Sequence, residues 1–266
     1  MGALGLMLGG CGAGRGNTSA SAVADVTQAA YVTSNGPGFK MDMTVSGDIG
    51  GEPFSLGTSG AFEDQGRRGA MTETVNGKTV ATVVDLPYGY VQVRGKLIKG
   101  KPWVRFNLEG YTQSLGVSGS LNTSSEPSQW IDFLKAAGQA STVGPETLRG
   151  VPTTHYHVMV DLARLPAVVP ARLRAGAEQQ AALLKRISGQ SNLPIDVWID
   201  QSNLVRRYQV QVPLCFQGER TSESVSVEMY DYGTQSVPAP PPLSEVTDLS
   251  SQLDSNTSRA LQQLHC

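Results

Sequence analysis

Cysteine is scarce: Cys11, Cys215 and Cys266 are the only three in 266 residues. Aromatic residues make up 6 % and charged residues 17 % of the chain. No run of about 18 or more apolar residues exists, so no segment reads as a membrane-spanning helix. Acidic and basic residues nearly balance, giving a formal net charge of −2. No block of consecutive basic residues stands out, and phosphate recognition needs a concentrated positive footprint, so nucleic acid is excluded as a partner. There is no Gly-x-Ser-x-Gly elbow, no phosphate loop and no dinucleotide fingerprint. Gly116-Val117-Ser118-Gly119 is one residue short of the elbow and reads as loop. No nucleophile and base pair is visible, so the sequence argues against an enzyme and calls for no cofactor.

What is present is a composition rich in Gly, Ser, Thr and Val, suited to strands and turns. The length allows one large β-rich domain with a sizeable core. A short helix is expected over residues 21–35, with Val23, Val26 and Ala30 at helical spacing, broken by Asn35-Gly36-Pro37-Gly38. Strict alternation follows: Phe39, Met41, Met43 and Val45 share one face of a strand, with Lys40, Asp42, Thr44 and Ser46 on the other. Phe54, Leu56, Thr58 and Phe62 continue the pattern after a turn at 47–51. Strands over 67–75 and 78–85 flank Asn76-Gly77, a strong hairpin signal. Further strands are expected at 88–94 and 102–107. Short turns make this half an antiparallel meander, because parallel strands need long crossovers.

Residues 110–125 read as a Ser/Gly/Thr-rich loop. A helix over 127–137 follows, with Trp130, Phe133, Leu134 and Ala137 on one stripe and Gly138 as its stop. A strand over 148–161 presents Tyr156, Val158 and Val160 on one face. A second helix over 170–188 carries Leu173, Ala177, Leu184 and Ile187 along one side. Strands at 195–199, 205–212 and 222–230 complete the pattern, with a turn at 200–203. The proline run 238–242 ends regular structure, and a loosely ordered polar tail is expected over 239–266. The fold class is α+β: one large antiparallel sheet with helices on one face.

The amino terminus has its own logic. Leu4 to Leu8 is an apolar core, and Leu8-Gly9-Gly10-Cys11 resembles the bacterial lipobox, in which the cysteine takes a lipid and becomes the first residue after cleavage. Residues 1–10 then read as a signal peptide, with the true start expected upstream because no basic segment precedes the core. Residues 11–24 read as a lipidated flexible tether before a domain over 25–238. A chain so processed sits on the extracytoplasmic face of the cell membrane. In that oxidising setting Cys215 and Cys266 can form a disulfide or stay as two thiols; sequence does not fix their separation.

Several side chains invite chemistry and have plainer readings. His155 and His157 point the same way from one strand, a possible metal pair with Asp161 further along; two solvated histidines on the outer face is the favoured reading. Asp200 after Trp198 is expected to cap a turn. Trp103 and Trp198 are expected to pack the sheet, and Arg206 and Arg207 to point to opposite faces. Asn-x-Ser/Thr sites at Asn17, Asn122 and Asn256 carry no meaning in a bacterial host.

Three segments, in order, resemble the actinobacterial LppX/LprG-type lipoproteins, whose fold is like that of the LolA/LolB carriers. They are Gly100-Lys101-Pro102-Trp103-Val104-Arg105-Phe106, the run Leu193-Pro194-Ile195-Asp196-Val197-Trp198-Ile199-Asp200 followed by Leu204-Val205-Arg206-Arg207, and Met229-Tyr230-Asp231-Tyr232-Gly233 with Val237-Pro238. The resemblance spans about residues 25–245. It implies a curved half-barrel sheet whose concave side, closed by helices, encloses an apolar cavity for acyl chains. The partners implied are membrane lipids or acylated glycolipids, with a membrane transporter as a possible further partner and a monomeric state. Strand faces and helix stripes supply the expected lining: Met41, Met43, Val45, Leu56, Val91, Val93, Val104, Phe106, Trp130, Phe133, Leu134 and Leu184. The competing reading is an envelope lipoprotein with a filled core, acting as a sensor or partner of a membrane complex.

Overall fold

The computed structural model describes residues 19–49, 52–75, 78–93, 98–108, 128–171, 174–216 and 219–251. Cys11, Cys266, Leu173, the Asn76-Gly77 turn and the loop at 110–125 lie outside them, as do the side chains of Trp130 and Cys215.

Helix α1 (Ala20–Ser34) starts where Ser19 Oγ accepts the Ala22 backbone N–H at 3.0 Å. Its buried face is built of Ala22, Val26, Ala29, Ala30 and Thr33, small enough to lie close against the sheet. β1 (Gly38–Ile49) and β2 (Glu52–Glu63) form the long hairpin that alternation requires. The meander continues through β3 (Arg68–Val75), β4 (Lys78–Asp85), β5 (Tyr88–Gln92) and β6 (Trp103–Asn107). Helix α2 (Ser128–Leu134) leads into β7 (Ala137–Leu148) and β8 (Val151–Asp161). A single helical turn at Leu165–Val168 and helix α3 (Arg174–Ser188) precede β9 (Asn192–Asp200), β10 (Val205–Phe216), β11 (Glu219–Tyr230) and the short β12 (Val246–Asp248).

All twelve strands join one curved open sheet in the order β12-β6-β5-β4-β3-β2-β1-β11-β10-β9-β8-β7. Every pairing is antiparallel except β12 on β6. The helices lie on one face, α1 across β7 to β10 and α3 on β10. The main core fills the space between: Met41, Phe62, Leu134, Ile195 and Met229 are fully buried in it. A small second core of Val83, Tyr90 and Val246, with Trp103 and Tyr88 packed against it, occupies the other face near β12.

Four expectations need correction. The helix predicted over 127–137 stops at Leu134, and Ala137 to Leu148 is a strand. Gly138, read as a helix stop, lies inside this strand, as do Gly144 and Pro145. As the sheet's edge strand it tolerates them, with bulges at 137–139 and 142–144. The strand predicted over 148–161 contains a hairpin turn, because Arg149 (φ 48°) and Gly150 (φ 79°) both take the left-handed conformation that reverses two strands in two residues. The helix predicted over 170–188 is described over Arg174–Ser188, and Pro170 has no helical conformation. Finally, the segment after the prolines is tied down. Val246, Thr247 and Asp248 pair in parallel with Trp103, Val104 and Arg105, and Arg105 holds Asp248 at 2.7 Å. Lys101 Nζ donates to the Val246 carbonyl at 3.0 Å. Those contacts cover the free edge of β6.

Candidate functional site

Register decides which side chains share the helix-bearing face. One row across the strands runs Met41, Gly60, Met71, Thr82, Val91, Val104. The next runs Met43, Thr58, Glu73, Val80, and a third Phe39, Phe62, Gly69, Val84, Gly89, Phe106. The strand residues expected to line a cavity therefore all point to one side. Their surroundings differ along the sheet. Met41, Met43, Val45, Phe133, Leu134 and Leu184 are buried in the main core, and Leu56 packs on it. Val104 is buried. Val80, Val91, Val93 and Phe106 are partly exposed and, among the described residues, join neither core. They form an apolar strip over β4 to β6.

Polar groups interrupt this face at a few points. Thr58 and Thr82 are only 2 % and 7 % exposed, and neither hydroxyl has a hydrogen-bond partner. A buried polar group left unpaired costs about 1–3 kcal/mol. Glu73 stands directly opposite Thr58 and one step diagonally from Thr82. Burial pushes its carboxyl above the usual range, with no cation beside it among the described residues. Glu223, on the same face at the far end of β11, is raised for the same reason. Sequence reading placed Thr58 on the patterned face but missed Thr82, Glu73 and Glu223, because a Glu between Thr72 and Thr74 looks like solvated strand until the register is known.

Two cavities are described, and neither lies between sheet and helices. One of about 550 Å³ sits on the opposite face, between the strand residues Ser59, Ala70, Thr72, Ala81 and Trp103 and the proline segment at 238–242. The other, about 340 Å³, lies beside Arg149, Arg206, Glu228 and Tyr230.

The outer face also holds the groups that invited a catalytic or metal reading. His155 Nε2 and His157 Nδ1 both reach Asp196 Oδ1, at 3.0 and 3.2 Å. His155 stacks on Trp198 at 4.2 Å, so it is packed rather than simply solvated. Asp196 comes from β9 and was not paired with the histidines by sequence. Asp161 turns away and accepts the Ala163 N–H at 2.9 Å. No group of three or more His, Cys, Asp or Glu side chains able to hold a metal occurs among the described residues. Trp198 is buried and donates to Glu146, and Trp103 packs the small core. Arg206 and Arg207 each take a separate carboxylate, Asp200 and Glu228. Burial alone would raise Glu228, but Arg207 and Arg149 hold it below its usual range.

Asp200 caps its turn as expected: Oδ1 accepts the Ser202 and Leu204 N–H groups at 2.8 and 3.0 Å, while Oδ2 pairs with Arg206 at 2.6 Å. Asp200→Asn keeps the cap and removes the charge. It should lower stability by about 1.5–3 kcal/mol, read as a shifted urea midpoint at unchanged slope; an unchanged midpoint would show that the ion pair contributes nothing.

The lipoprotein LppX of Mycobacterium tuberculosis superimposes with a TM-score of 0.52 at 15 % identity, over 83 % of this chain and 98 % of that one. LprF of Mycobacterium bovis gives 0.51 at 16 % identity, over 85 % and 99 %. The chain has the LppX and LprF fold. At such identity the likeness is one of architecture. No protein-family model matches the sequence. An uncharacterized 31.2 kDa protein from the rplA-rplJ intergenic region of Streptomyces griseus is 28 % identical over 261 residues, covering 89 % of this chain and 82 % of that one.

Proposed function

We propose that this chain is a cell-envelope lipoprotein, anchored through a lipid on Cys11, that holds acyl chains against the helix-bearing face and carries or presents them. The observation that carries the reading is the strip of Val80, Val91, Val93 and Phe106, left without a packing partner in either described core, on the face of the sheet that carries this chain's helices. Each methylene of a chain buried there would stabilise the complex by about 0.8 kcal/mol before ordering costs. Two methionines, Met41 and Met71, stand in the same row as Val91 and suit irregular ligands. The alternative, a sensor or partner protein with a filled core, draws on the close packing of Met41, Phe133, Leu134 and Leu184 at the other end of that face.

The two readings separate on one variant. Val91→Arg places a charge in the apolar strip at a partly exposed position, so the fold should persist. A fluorescent fatty-acid probe should bind the parent and bind the variant at least about tenfold more weakly. Equal binding by parent and variant would remove acyl chains from this face.

A further inference from the structure

An apolar wall that only packs against hydrocarbon needs no polar groups, yet this one carries three on three neighbouring strands. Thr58 and Glu73 are directly cross-strand neighbours, where side chains stand about 5 Å apart. Thr82 lies beside Val80, the residue opposite Glu73, two positions along β4 and on the same face. The three therefore cluster on adjacent strands, bordered by Met43, Met71, Val80 and Val91. Both threonine hydroxyls are more than nine-tenths buried and have no partner. Glu73 is partly buried, and among the described residues no cation or donor reaches it. Buried polar groups in folded proteins are nearly always paired, and an unpaired set on neighbouring strands of one face marks where a missing partner sits.

The chemistry of that partner follows from the set. Two hydroxyls can each donate and accept, and a carboxyl in apolar surroundings accepts from a hydroxyl or, once protonated, donates to it. A phosphate or a fatty-acid carboxylate would meet Glu73 as a like charge. An ammonium group could donate to the carboxylate and to both hydroxyl oxygens, but it offers no acceptor for the two O–H groups and would lose its hydration on entering the wall. A neutral polyol satisfies all three groups and brings no charge.

We propose that Thr58, Glu73 and Thr82 form a polar subsite that takes the hydroxyl-bearing portion of an uncharged acyl lipid, such as the glycerol of a monoacylglycerol, and discriminates against anionic head groups. The subsite rests on the reading that acyl chains bind this face. It adds a choice of head group to an otherwise unselective hydrocarbon surface.

The test is displacement of a fluorescent acyl probe from the full chain carrying Cys11→Ser. The competitors are monopalmitoylglycerol, palmitate and hexadecylamine, at a pH where palmitate is ionised. Monopalmitoylglycerol should compete best, by about tenfold over palmitate. Glu73→Gln should close that gap by strengthening palmitate. The double variant Thr58→Val, Thr82→Val should weaken monopalmitoylglycerol by about tenfold and leave palmitate unchanged. Its melting temperature should match or exceed the parent's, because replacing unpaired buried hydroxyls with methyl groups of the same shape removes a cost. Equal competition by the glyceride and palmitate, unaltered in Glu73→Gln, would overturn the subsite while acyl binding itself stands. Tightest competition by hexadecylamine would make it a cation site and overturn the proposal. A clear drop in the double variant's melting temperature would show that the hydroxyls are already bonded, with the same result. If the probe does not bind at all, the acyl-chain reading fails first.

Discussion

Cys11→Ser should abolish incorporation of labelled fatty acid when the protein is expressed from its full reading frame in a native-like host. The effect is expected to be all or none, because the Cys11 thiol is the one proposed attachment point and no other cysteine follows small residues in this way: Cys215 lies in β10 after Leu214, and Cys266 after His265. The apolar Leu4 to Leu8 run and the small Gly9 and Gly10 are what a signal peptidase needs for close approach to the backbone. The variant should also leave the membrane fraction, because the lipid on Cys11 is the proposed anchor. Equal labelling of the parent and Cys11→Ser would place the lipid elsewhere or remove it from the account.

Phe62→Ala should cost about 3–5 kcal/mol, the range for emptying a buried aromatic site. Phe62 is fully buried and its ring stacks on Phe39 at 5.6 Å between centroids. Phe39 in turn meets Tyr232 at 6.0 Å, so three aromatic rings tie β1, β2 and the end of β11 together. Across the pair, Gly69 faces Phe62, and a Cβ there would come within 2.4 Å of the Phe62 ring. The glycine leaves the space that the ring fills, so Gly69→Ala should also destabilise, by overpacking rather than by a void. Urea unfolding measures both. A midpoint for Phe62→Ala within error of the parent would mean that the meander is not stabilised through this stack.

The long meander was legible because period-two alternation is a direct consequence of strand geometry. Phe39, Met41, Met43 and Val45 point inward as the pattern requires, and each finds its partner from β2 in register. Helix α1 was legible for the parallel reason, a stripe of Val26 and Ala30 at helical spacing. β7 was not, because it is an edge strand whose buried positions are Ala137, Ala140 and, at its far end, Leu148, and whose outer positions hold Gly, Gln, Thr and Pro. Its place in the sheet comes from backbone pairing with β8, which leaves no trace in side-chain pattern. β12 is three residues long and is fixed by Lys101 and Arg105, more than 140 positions away in sequence. The same limit applies to the site. Alternation tells that Val91 and Val93 share a face, as do Val104 and Phe106. That Glu73 stands beside two unpaired threonines, or that Asp196 joins His155 and His157, depends on which strands are neighbours, and that is a property of the fold.

Mass spectrometry of the organic extract of the protein purified under native conditions reads directly whether this face holds acyl chains. An acyl lipid should be recovered in near-equal proportion to the chain, and should be lost from Val91→Arg purified in the same way. An extract free of lipid, from a protein that also fails to take up a labelled acyl chain, would contradict acyl-chain binding on this face.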